Sequence, residues 1–281
     1  MTVATPLAPM APSTTHTDRA TATGATPVTT PTVRVALPAY NEGEALLPLL
    51  RSLHATLEGA GLRHEIVVVD DGSQDDTAPI AAQASFSMPV RLVQHEVNQG
   101  LAGALRTGLV DAVENASPGD VILTMDSDNT HPAGLIPRML SLIAEGHDVV
   151  IASRFQHGAR VIGVPWDRVL LSIAARWVFK IMLPIPGVRD YTCGFRAYRV
   201  APLAAAIEHF GDDFVSEKGF SCMVDVLLKL RRLRVNGAPI VMGEAPMILR
   251  YDQKGGASKM RVLRTVRQTL SLVFRRFFAG A

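Results

Sequence analysis

The segment that most constrains the fold is a short apolar run that ends in two carboxylates. Residues 121–125 read Val-Ile-Leu-Thr-Met, Asp126 and Asp128 follow with one residue between them, and Pro132 ends the extended run. Such a run predicts a strand buried on both faces of a parallel sheet, and open α/β sheets bind ligands at the carboxyl ends of their strands. Two acids at that edge can converge on one Mg²⁺ or Mn²⁺ ion, which also binds phosphate oxygens. The alternative is an Asx-type turn with solvated acids.

Strands and helices alternate along the rest of the chain. Three apolar runs and three segments of helical periodicity precede residue 121. Alternation at this spacing predicts a doubly wound α/β domain whose sheet is parallel and whose crossovers are right-handed. The predicted strands are residues 33–38, 65–69, 90–95, 121–125 and 148–153, with one or two short strands within 234–244. The predicted helices are residues 44–57, 75–84, 101–114, 133–145, 167–182, 215–230 and 262–278.

The predicted helix at residues 167–182 has a broad apolar face that three cations interrupt: Arg168, Arg176 and Lys180. One interpretation is a buried core helix. The other is a helix at a membrane interface, whose long cationic side chains reach toward the headgroups. The sequence leaves both interpretations open.

The two ends of the chain differ in composition from its middle. Residues 1–31 are mostly Thr, Ala and Pro with almost no charge, which predicts disorder. Residues 261–281 combine an apolar stripe with five arginines and no acid, which predicts a basic amphipathic helix on an anionic membrane surface. Residues 32–260 are then one domain. Because no run of about 18 uncharged apolar residues occurs, we expect a cytoplasmic protein, peripheral on the inner face of the membrane.

Charge and cysteine content exclude other classes. The net charge is +2 over 281 residues, so nothing attracts the whole chain to nucleic acid. Cys193 and Cys222 form no spacing motif, which suits a reducing compartment. Cys193 is expected to serve packing rather than nucleophilic attack, because no nearby group would stabilise a thiolate.

Polar residues follow three of the predicted strands. They are the segment 38–42, the pair Asp70 and Asp71, and the acids of the central strand. Parallel strands place these segments along one edge, where they can converge on one nucleotide. Asp70 or Asp71 would accept hydrogen bonds from a base or ribose, and Tyr40 would lie against the base.

Seven motifs together resemble family-2 glycosyltransferases of the GT-A fold, and in particular the dolichol- and polyprenol-phosphate mannose synthases. The resemblance covers about residues 33–261, and it implies a Rossmann-like, mostly parallel sheet. The motifs are Leu-Pro-Ala-Tyr-Asn-Glu at 37–42, Val-Val-Asp-Asp-Gly-Ser at 68–73, Asn-Gln-Gly at 98–100, Asp-Ser-Asp at 126–128, Ala-Ser-Arg-Phe at 152–155, Asp-Tyr-Thr-Cys-Gly-Phe-Arg at 190–196 and Gly-Ala-Ser-Lys at 256–259.

By this resemblance the chain moves mannose from GDP-mannose to a polyprenyl or dolichyl phosphate. Asp126 and Asp128 would bind the Mg²⁺ or Mn²⁺ ion that bridges the donor diphosphate. The substrate-binding set it implies is Pro38, Tyr40, Glu42, Asp70, Asp71, Asp126, Arg154, Arg168, Asp190 and Lys259.

The catalytic groups implied by the resemblance are Asp128, Arg154 and Lys259, with Arg154 at the acceptor phosphate and Lys259 closing over the site. Two positions depart from the mannose synthases. Thr130 stands where they usually carry Gln, and Gln253 stands where their closing loop has Arg. These departures bear on the sugar and the nucleotide rather than on the fold.

The charge of the acceptor decides the mechanism. A divalent ion and Lys or Arg side chains would stabilise the departing diphosphate. A phosphate acceptor is already anionic near pH 7 and needs no base, whereas a hydroxyl acceptor needs one, and Asp190 is then the candidate. Another donor, such as UDP-glucose, remains an alternative. So does a nucleotidyltransferase, although segment 38–42 lacks the usual glycine-rich basic loop.

Overall fold

The computed structural model describes residues 31–251, apart from the side chains at positions 167 and 168. The predicted disorder of residues 1–31 and the predicted helix at 261–281 therefore fall outside the described residues, except for position 31. No helix in the described part is long and apolar enough to cross a bilayer.

The described residues form a mixed α/β domain around one large sheet. The strands of the domain, in chain order, are β1 (Thr32–Ala39), β2 (Arg63–Asp70), β3 (Val90–Gln94), β4 (Val121–Thr124), β5 (Val149–Ser153), β6 (Arg160–Ile162), β7 (Arg196–Arg199), β8 (Arg234–Val235), β9 (Ala238–Pro239), β10 (Met242–Pro246) and β11 (Ile248–Arg250). Its helices are α1 (Gly43–Gly59), α2 (Thr77–Ala84), α3 (Gly100–Glu114), α4 (Ile136–Ala144), α5 (Trp166–Met182), α6 (Val200–Phe210) and α7 (Ser221–Arg232), with short 3-10 helices at Ala133–Leu135 and Gly211–Val215.

The main sheet has seven strands in the order β10-β5-β7-β4-β1-β2-β3. All neighbours are parallel except β7, which runs antiparallel to both β4 and β5. The prediction of a doubly wound, mostly parallel sheet is confirmed. The carboxyl ends of β1, β2, β4 and β5 consequently meet at one edge.

Apolar strands and helix faces build the core on both sides of this sheet. Helix α1 contributes five fully buried leucines at positions 46, 49, 50, 53 and 57, the spacing of one helical face. On α3, Gly108 allows close approach to the sheet, because a Cβ there would lie 3.0 Å from the Cβ of Ala36. The two helices that follow β1 and β3 thus hold the strands whose ends carry the predicted site.

Some elements differ from the sequence prediction. Strand β7 and helix α6 were not predicted, because β7 is short and its Arg-Ala-Tyr-Arg sequence lacks an apolar run. The helix predicted at 215–230 begins at Ser221, after a 3-10 turn. The core interpretation of the helix at 167–182 holds for only part of its apolar residues. Helix α5 buries Phe179 and packs Ala175, Val178 and Met182 against the core, but it exposes Leu170, Trp177 and Ile181.

Candidate active site

A cavity of about 620 Å³ opens at the carboxyl edge of the sheet. Because the strands are parallel, it collects residues that are far apart in the chain. Asp70 is not among the described residues that line it, and Lys259 and the side chain of Arg168 lie outside the described part. The predicted site residues that line it are Pro38, Tyr40, Glu42, Asp71, Asp126, Asp128, Arg154 and Asp190.

Two side-chain hydrogen bonds fix the loop that carries the acid pair. Thr124 Oγ1, at the end of β4, donates to the carbonyl of Gly194 at 2.7 Å. Ser127 Oγ, between the two acids, donates to the carbonyl of Pro38 at 2.8 Å. The loop is therefore tied to β1 on one side and to the segment before β7 on the other. Asp126 keeps 31% of its side chain exposed to the cavity.

Asp128 is oriented by its own turn. Its Oδ1 accepts hydrogen bonds from Thr130 Oγ1 at 2.6 Å and from the Thr130 N–H at 3.2 Å. Asn129 between them has φ of 58°, a left-handed conformation that asparagine tolerates. Thr130 thus holds Asp128 in place, at the position where the mannose synthases usually carry Gln.

The donor set fits a Mg²⁺ or Mn²⁺ ion rather than a protein-enclosed metal. Asp126 and Asp128 offer carboxylate oxygens to the same cavity. No group of three or more His, Cys, Asp or Glu side chains suited to a metal occurs in the described part of the chain. Mg²⁺ is commonly bound by one or two carboxylates together with substrate phosphates, so the acid pair is sufficient once a diphosphate is present.

Asp71 anchors the start of α3. Its buried carboxylate accepts hydrogen bonds from the backbone N–H groups of Gln99 and Gly100, each at 2.8 Å. It also pairs with His95 Nδ1 at 2.7 Å, and the other ring nitrogen of His95 meets Thr107 Oγ1 at 3.0 Å. Asp71 therefore shapes one wall of the cavity by fixing the α3 N-terminus, where Gly100 and Leu101 also line it. His95 is thereby held between the Asp71 carboxylate and the Thr107 hydroxyl.

Asp70 serves the neighbouring turn instead of the cavity. It is buried, and its two oxygens accept from the Ser73 N–H and from Gln94 Nε2, each at 3.3 Å. Its predicted place among the substrate-binding residues therefore finds no support in the cavity lining.

A two-point ion pair in the cavity joins Arg154 to Asp190. Asp190 Oδ2 accepts from Arg154 Nε at 2.8 Å, and Oδ1 accepts from Nη2 at 2.7 Å. Arg154 Nη2 also donates to Thr192 Oγ1 at 2.7 Å. Nη1 makes no hydrogen bond to the described residues, and 22% of the Arg154 side chain stays exposed. The guanidinium is thus fixed on one side and open to the cavity on the other.

This pairing sets the protonation of both groups. Burial alone would raise the pKa of Asp190, but Arg154 and the backbone N–H groups around it outweigh burial and lower that pKa. Burial likewise opposes the charge on Arg154, and Asp190 outweighs it, so the pKa of Arg154 is raised. Asp190 is an ionised counter-charge that holds Arg154, and its lowered pKa makes it a poor base.

A family sequence model described as "Glycosyl transferase family 2" matches residues 34–205. The chain belongs to glycosyl transferase family 2. Its relatives include the dolichol-phosphate mannosyltransferase of Pyrococcus furiosus, 34% identical over 75% of this chain and 56% of that protein. The polyprenol monophosphomannose synthase of Mycolicibacterium smegmatis is 32% identical over 80% of each chain. The undecaprenyl-phosphate mannosyltransferase of Micrococcus luteus is 33% identical over 80% of this chain and 85% of that protein. This chain spans little more than half of the archaeal relative.

Solved structures confirm the GT-A fold of this glycosyltransferase. The glucosyl-3-phosphoglycerate synthase of Mycobacterium tuberculosis, in complex with Mn²⁺, UDP and glucosyl-3-phosphoglycerate, aligns with a TM-score of 0.62. The alignment covers 88% of this chain and 80% of that chain at 21% sequence identity. At that identity the likeness extends to the fold and not to the substrates.

Sequence reasoning missed Glu244, which supports the active site of this glycosyltransferase from the edge strand β10. Its Oε1 accepts hydrogen bonds from the backbone N–H groups of Arg189 and Asp190, each at 2.6 Å. Burial raises the pKa of Glu244, and these two hydrogen bonds oppose that rise. Glu244 thereby fixes the backbone that places Asp190 beside Arg154. No local motif around Glu244 signals this role.

Gly194 is a second missed residue. A Cβ at this position would lie 2.9 Å from Asp126 Oδ1 and 3.2 Å from Met223 Cε, so only glycine leaves room for the acid. Its neighbour Cys193 is buried, and burial raises the pKa of that thiol to about 12. The prediction that Cys193 serves packing is consistent with this environment, since a thiol that stays protonated is a weak nucleophile.

Proposed function

We propose that the chain transfers a sugar from a nucleoside-diphosphate donor to a polyprenyl phosphate, with inversion and with the help of Mg²⁺ or Mn²⁺. The observation that carries this proposal is the Arg154–Asp190 pair. The carboxylate that a hydroxyl acceptor would need as base is buried, ionised and held by five N–H donors. A phosphate acceptor is already anionic and needs no base, and Arg154 offers a fixed cation to guide it.

The reaction is one displacement at the anomeric carbon. An oxygen of the acceptor phosphate forms the new bond to that carbon, and the bond between that carbon and the donor diphosphate breaks. The electron pair leaves with the diphosphate. Asp126 and Asp128 would hold the divalent ion, whose chemistry is to neutralise charge on the departing diphosphate. Arg154 orients the acceptor, and the predicted role of Lys259 is to close over the same anions.

Mannose and GDP-mannose are the sugar and donor that we favour. The support is the three relatives named as mannosyltransferases or a mannose synthase, which act on dolichol, polyprenol or undecaprenyl phosphate by their names. The acceptor would reach the enzyme from a membrane, so we also propose a peripheral site of action at an anionic membrane surface.

A donor and acceptor screen tests the proposal. GDP- and UDP-sugars are each supplied with polyprenyl phosphate or with the unphosphorylated polyprenol, and release of nucleoside diphosphate is followed. We expect turnover with GDP-mannose and polyprenyl phosphate only. Turnover with polyprenol would instead favour a hydroxyl acceptor, and turnover with UDP-glucose alone would exclude GDP-mannose as donor.

The metal requirement is tested on the acid pair. Asp128→Ala is expected to lower turnover by about 10²-fold or more, the cost of removing one strong electrostatic stabiliser. Asp212→Asn is the matched control, because Asp212 is 98% exposed and makes only a surface ion pair. Full activity of the unmodified enzyme in excess EDTA would contradict the metal requirement.

A further inference from the structure

Helix α5 exposes an apolar stripe to solvent along its whole length. The stripe, here called the outer face, consists of residues at spacings of four, three, four and four, which place all members on one side of a helix. Between its first and last residues the helix advances about 22 Å. The members and their exposed fractions are Trp166 at 78%, Leu170 at 59%, Ile173 at 38%, Trp177 at 51% and Ile181 at 73%. Monomeric proteins rarely leave a contiguous apolar patch of this length uncovered.

The opposite side of the same helix forms a wall of the active-site cavity. Leu171, Ala175 and Val178 line that cavity. Phe179 is buried and stacks on Tyr191, with 5.2 Å between ring centroids. Because Tyr191 follows Asp190 directly, the helix is packed against the segment that holds Arg154. One helix therefore separates the reaction site from the outer face.

The cations beside the outer face favour an anionic partner. Exposed Lys180 places its Nζ 5.3 Å from the Trp177 ring centroid. Arg176 is half-buried at the edge of the outer face: its Cζ lies 5.7 Å from the Trp177 ring and 5.2 Å from the Phe155 ring. Tryptophan beside lysine or arginine on an apolar helix is typical of the headgroup region of a membrane, where the cations reach the phosphates.

Charge also argues against the other ways to cover the outer face. The segment 261–281 has an apolar stripe, but its charged residues are five arginines. Helix α5 carries three cations and one acid, Asp167. Packing segment 261–281 on α5 would therefore bring mostly like charges together, and so would packing α5 against its copy in a second chain. Like charges in contact are unfavourable, whereas an anionic lipid surface is attracted to both segments.

We propose that the outer face of α5 is the surface by which this enzyme docks on an anionic bilayer. The inference rests on the proposed function, since docking brings a cavity wall to the membrane from which a polyprenyl phosphate would enter. The acceptor then reaches Arg154 along α5 without crossing bulk water.

Tryptophan fluorescence of the full chain tests this directly, because the chain has two tryptophans and both lie on the outer face. The probes are phosphatidylglycerol vesicles and phosphatidylcholine vesicles, both free of polyprenyl phosphate. With the anionic vesicles we expect a blue shift of the emission and strong quenching when the acyl chains are brominated. The neutral vesicles should give a much smaller effect. Vesicles that bind the chain without quenching either tryptophan would overturn the proposal, as would no binding at all.

A charge-insertion variant provides the second measurement. Leu170→Glu with Ile181→Glu is expected to lower partitioning onto anionic vesicles at least tenfold without unfolding the domain, since both side chains are exposed. Phe86→Glu is the matched control, because Phe86 is 91% exposed and follows α2 instead. Equal binding of the double variant and the control would refute the docking role, and a lipid-free blue shift that grows with protein concentration would identify a second copy as the partner. None of these assays measures sugar transfer. Failure of the docking proposal and failure of the proposed activity can therefore be told apart.

Discussion

Replacing Asp190 with asparagine distinguishes a counter-charge from a catalytic base. The side chain is fully buried and accepts hydrogen bonds from the Arg154 guanidinium, from the Arg154 N–H and from the N–H groups of Thr192 and Cys193. Asparagine keeps the shape but removes the charge, and its NH₂ group cannot accept from the guanidinium. Arg154 then remains largely enclosed in protein without its counter-ion.

The structure sets the size of the effect. Removing one partner of a buried ion pair costs about 3–5 kcal/mol of folding free energy. Arg154 keeps some solvent contact, so we expect the lower end, about 3 kcal/mol, which corresponds to a fall in Tm of roughly 6–12 °C for a domain of this size. Because the pKa of Asp190 is lowered by folding, its contribution is present above the ordinary aspartate pKa and is lost as pH falls below it. The variant should therefore also show a weaker loss of stability in acid.

Thermal and denaturant unfolding measure the stability change, and Glu145→Gln is the matched control. Glu145 forms an exposed ion pair with Arg138, so its removal should cost no more than about 1 kcal/mol. Steady-state kinetics over pH give the second readout: a misplaced Arg154 lowers kcat/KM for the acceptor but leaves the shape of the pH profile unchanged. A free energy of unfolding of the Asp190 variant within about 0.5 kcal/mol of the original value would refute the counter-charge role. So would loss of the acidic limb of its profile of kcat/KM against pH.

Two further substitutions test the supports of the site. Gly194→Ala should displace Asp126 and raise the Mn²⁺ concentration needed for half-maximal activity. Gly134→Ala is the control and should not, because the space around its added Cβ is open. An unchanged Mn²⁺ requirement of Gly194→Ala would contradict the steric argument. Glu244→Ala should cost about 2–6 kcal/mol, because two buried N–H groups lose their acceptor. Glu244→Gln should keep most of that stability, because its amide oxygen accepts the same bonds. Because burial raises the pKa of Glu244, the original chain should lose stability as pH rises through that pKa, and the Glu244→Gln variant should not. Equal stability of Glu244→Ala and Glu244→Gln would refute the positioning role.

The sequence was sufficient to place the acid pair because the relevant signals are local. A continuous apolar run predicts a strand buried on both faces, and a buried parallel strand delivers the residue after its end to the ligand edge. Asp126 and Asp128 lie two and four residues after the end of β4 and line the cavity for that reason. Pro38 and Tyr40, at the end of β1, reach the same cavity by the same rule.

The supporting contacts were not predictable because they depend on which strands become neighbours. Arg154 and Asp190 are 36 residues apart, and Glu244 lies 54 residues beyond Asp190. They meet because β5 lies between β10 and β7 in the sheet, and β7 runs antiparallel to its neighbours. Nothing in the spacing of these residues encodes that order. Asp70 and Asp71 show a related limit. Successive side chains of a strand point to opposite faces, and only the fold shows that Asp71, rather than Asp70, is the one that lines the cavity.

Helices α1 and α5 show where periodicity reaches its limit. Both are 17 residues long and both carry an apolar stripe at helical spacing, yet α1 buries its stripe completely while α5 exposes the outer face. Periodicity identifies the apolar side of a helix but not what covers it, because a protein core and a bilayer interface both accept aliphatic side chains. The informative difference is chemical. The buried stripe of α1 consists of leucine and alanine. The stripe of α5 contains two tryptophans, and Arg176 and Lys180 lie beside the second one. In a core these two charges would need counter-ions, whereas the headgroup layer of a membrane accommodates both tryptophan and cations.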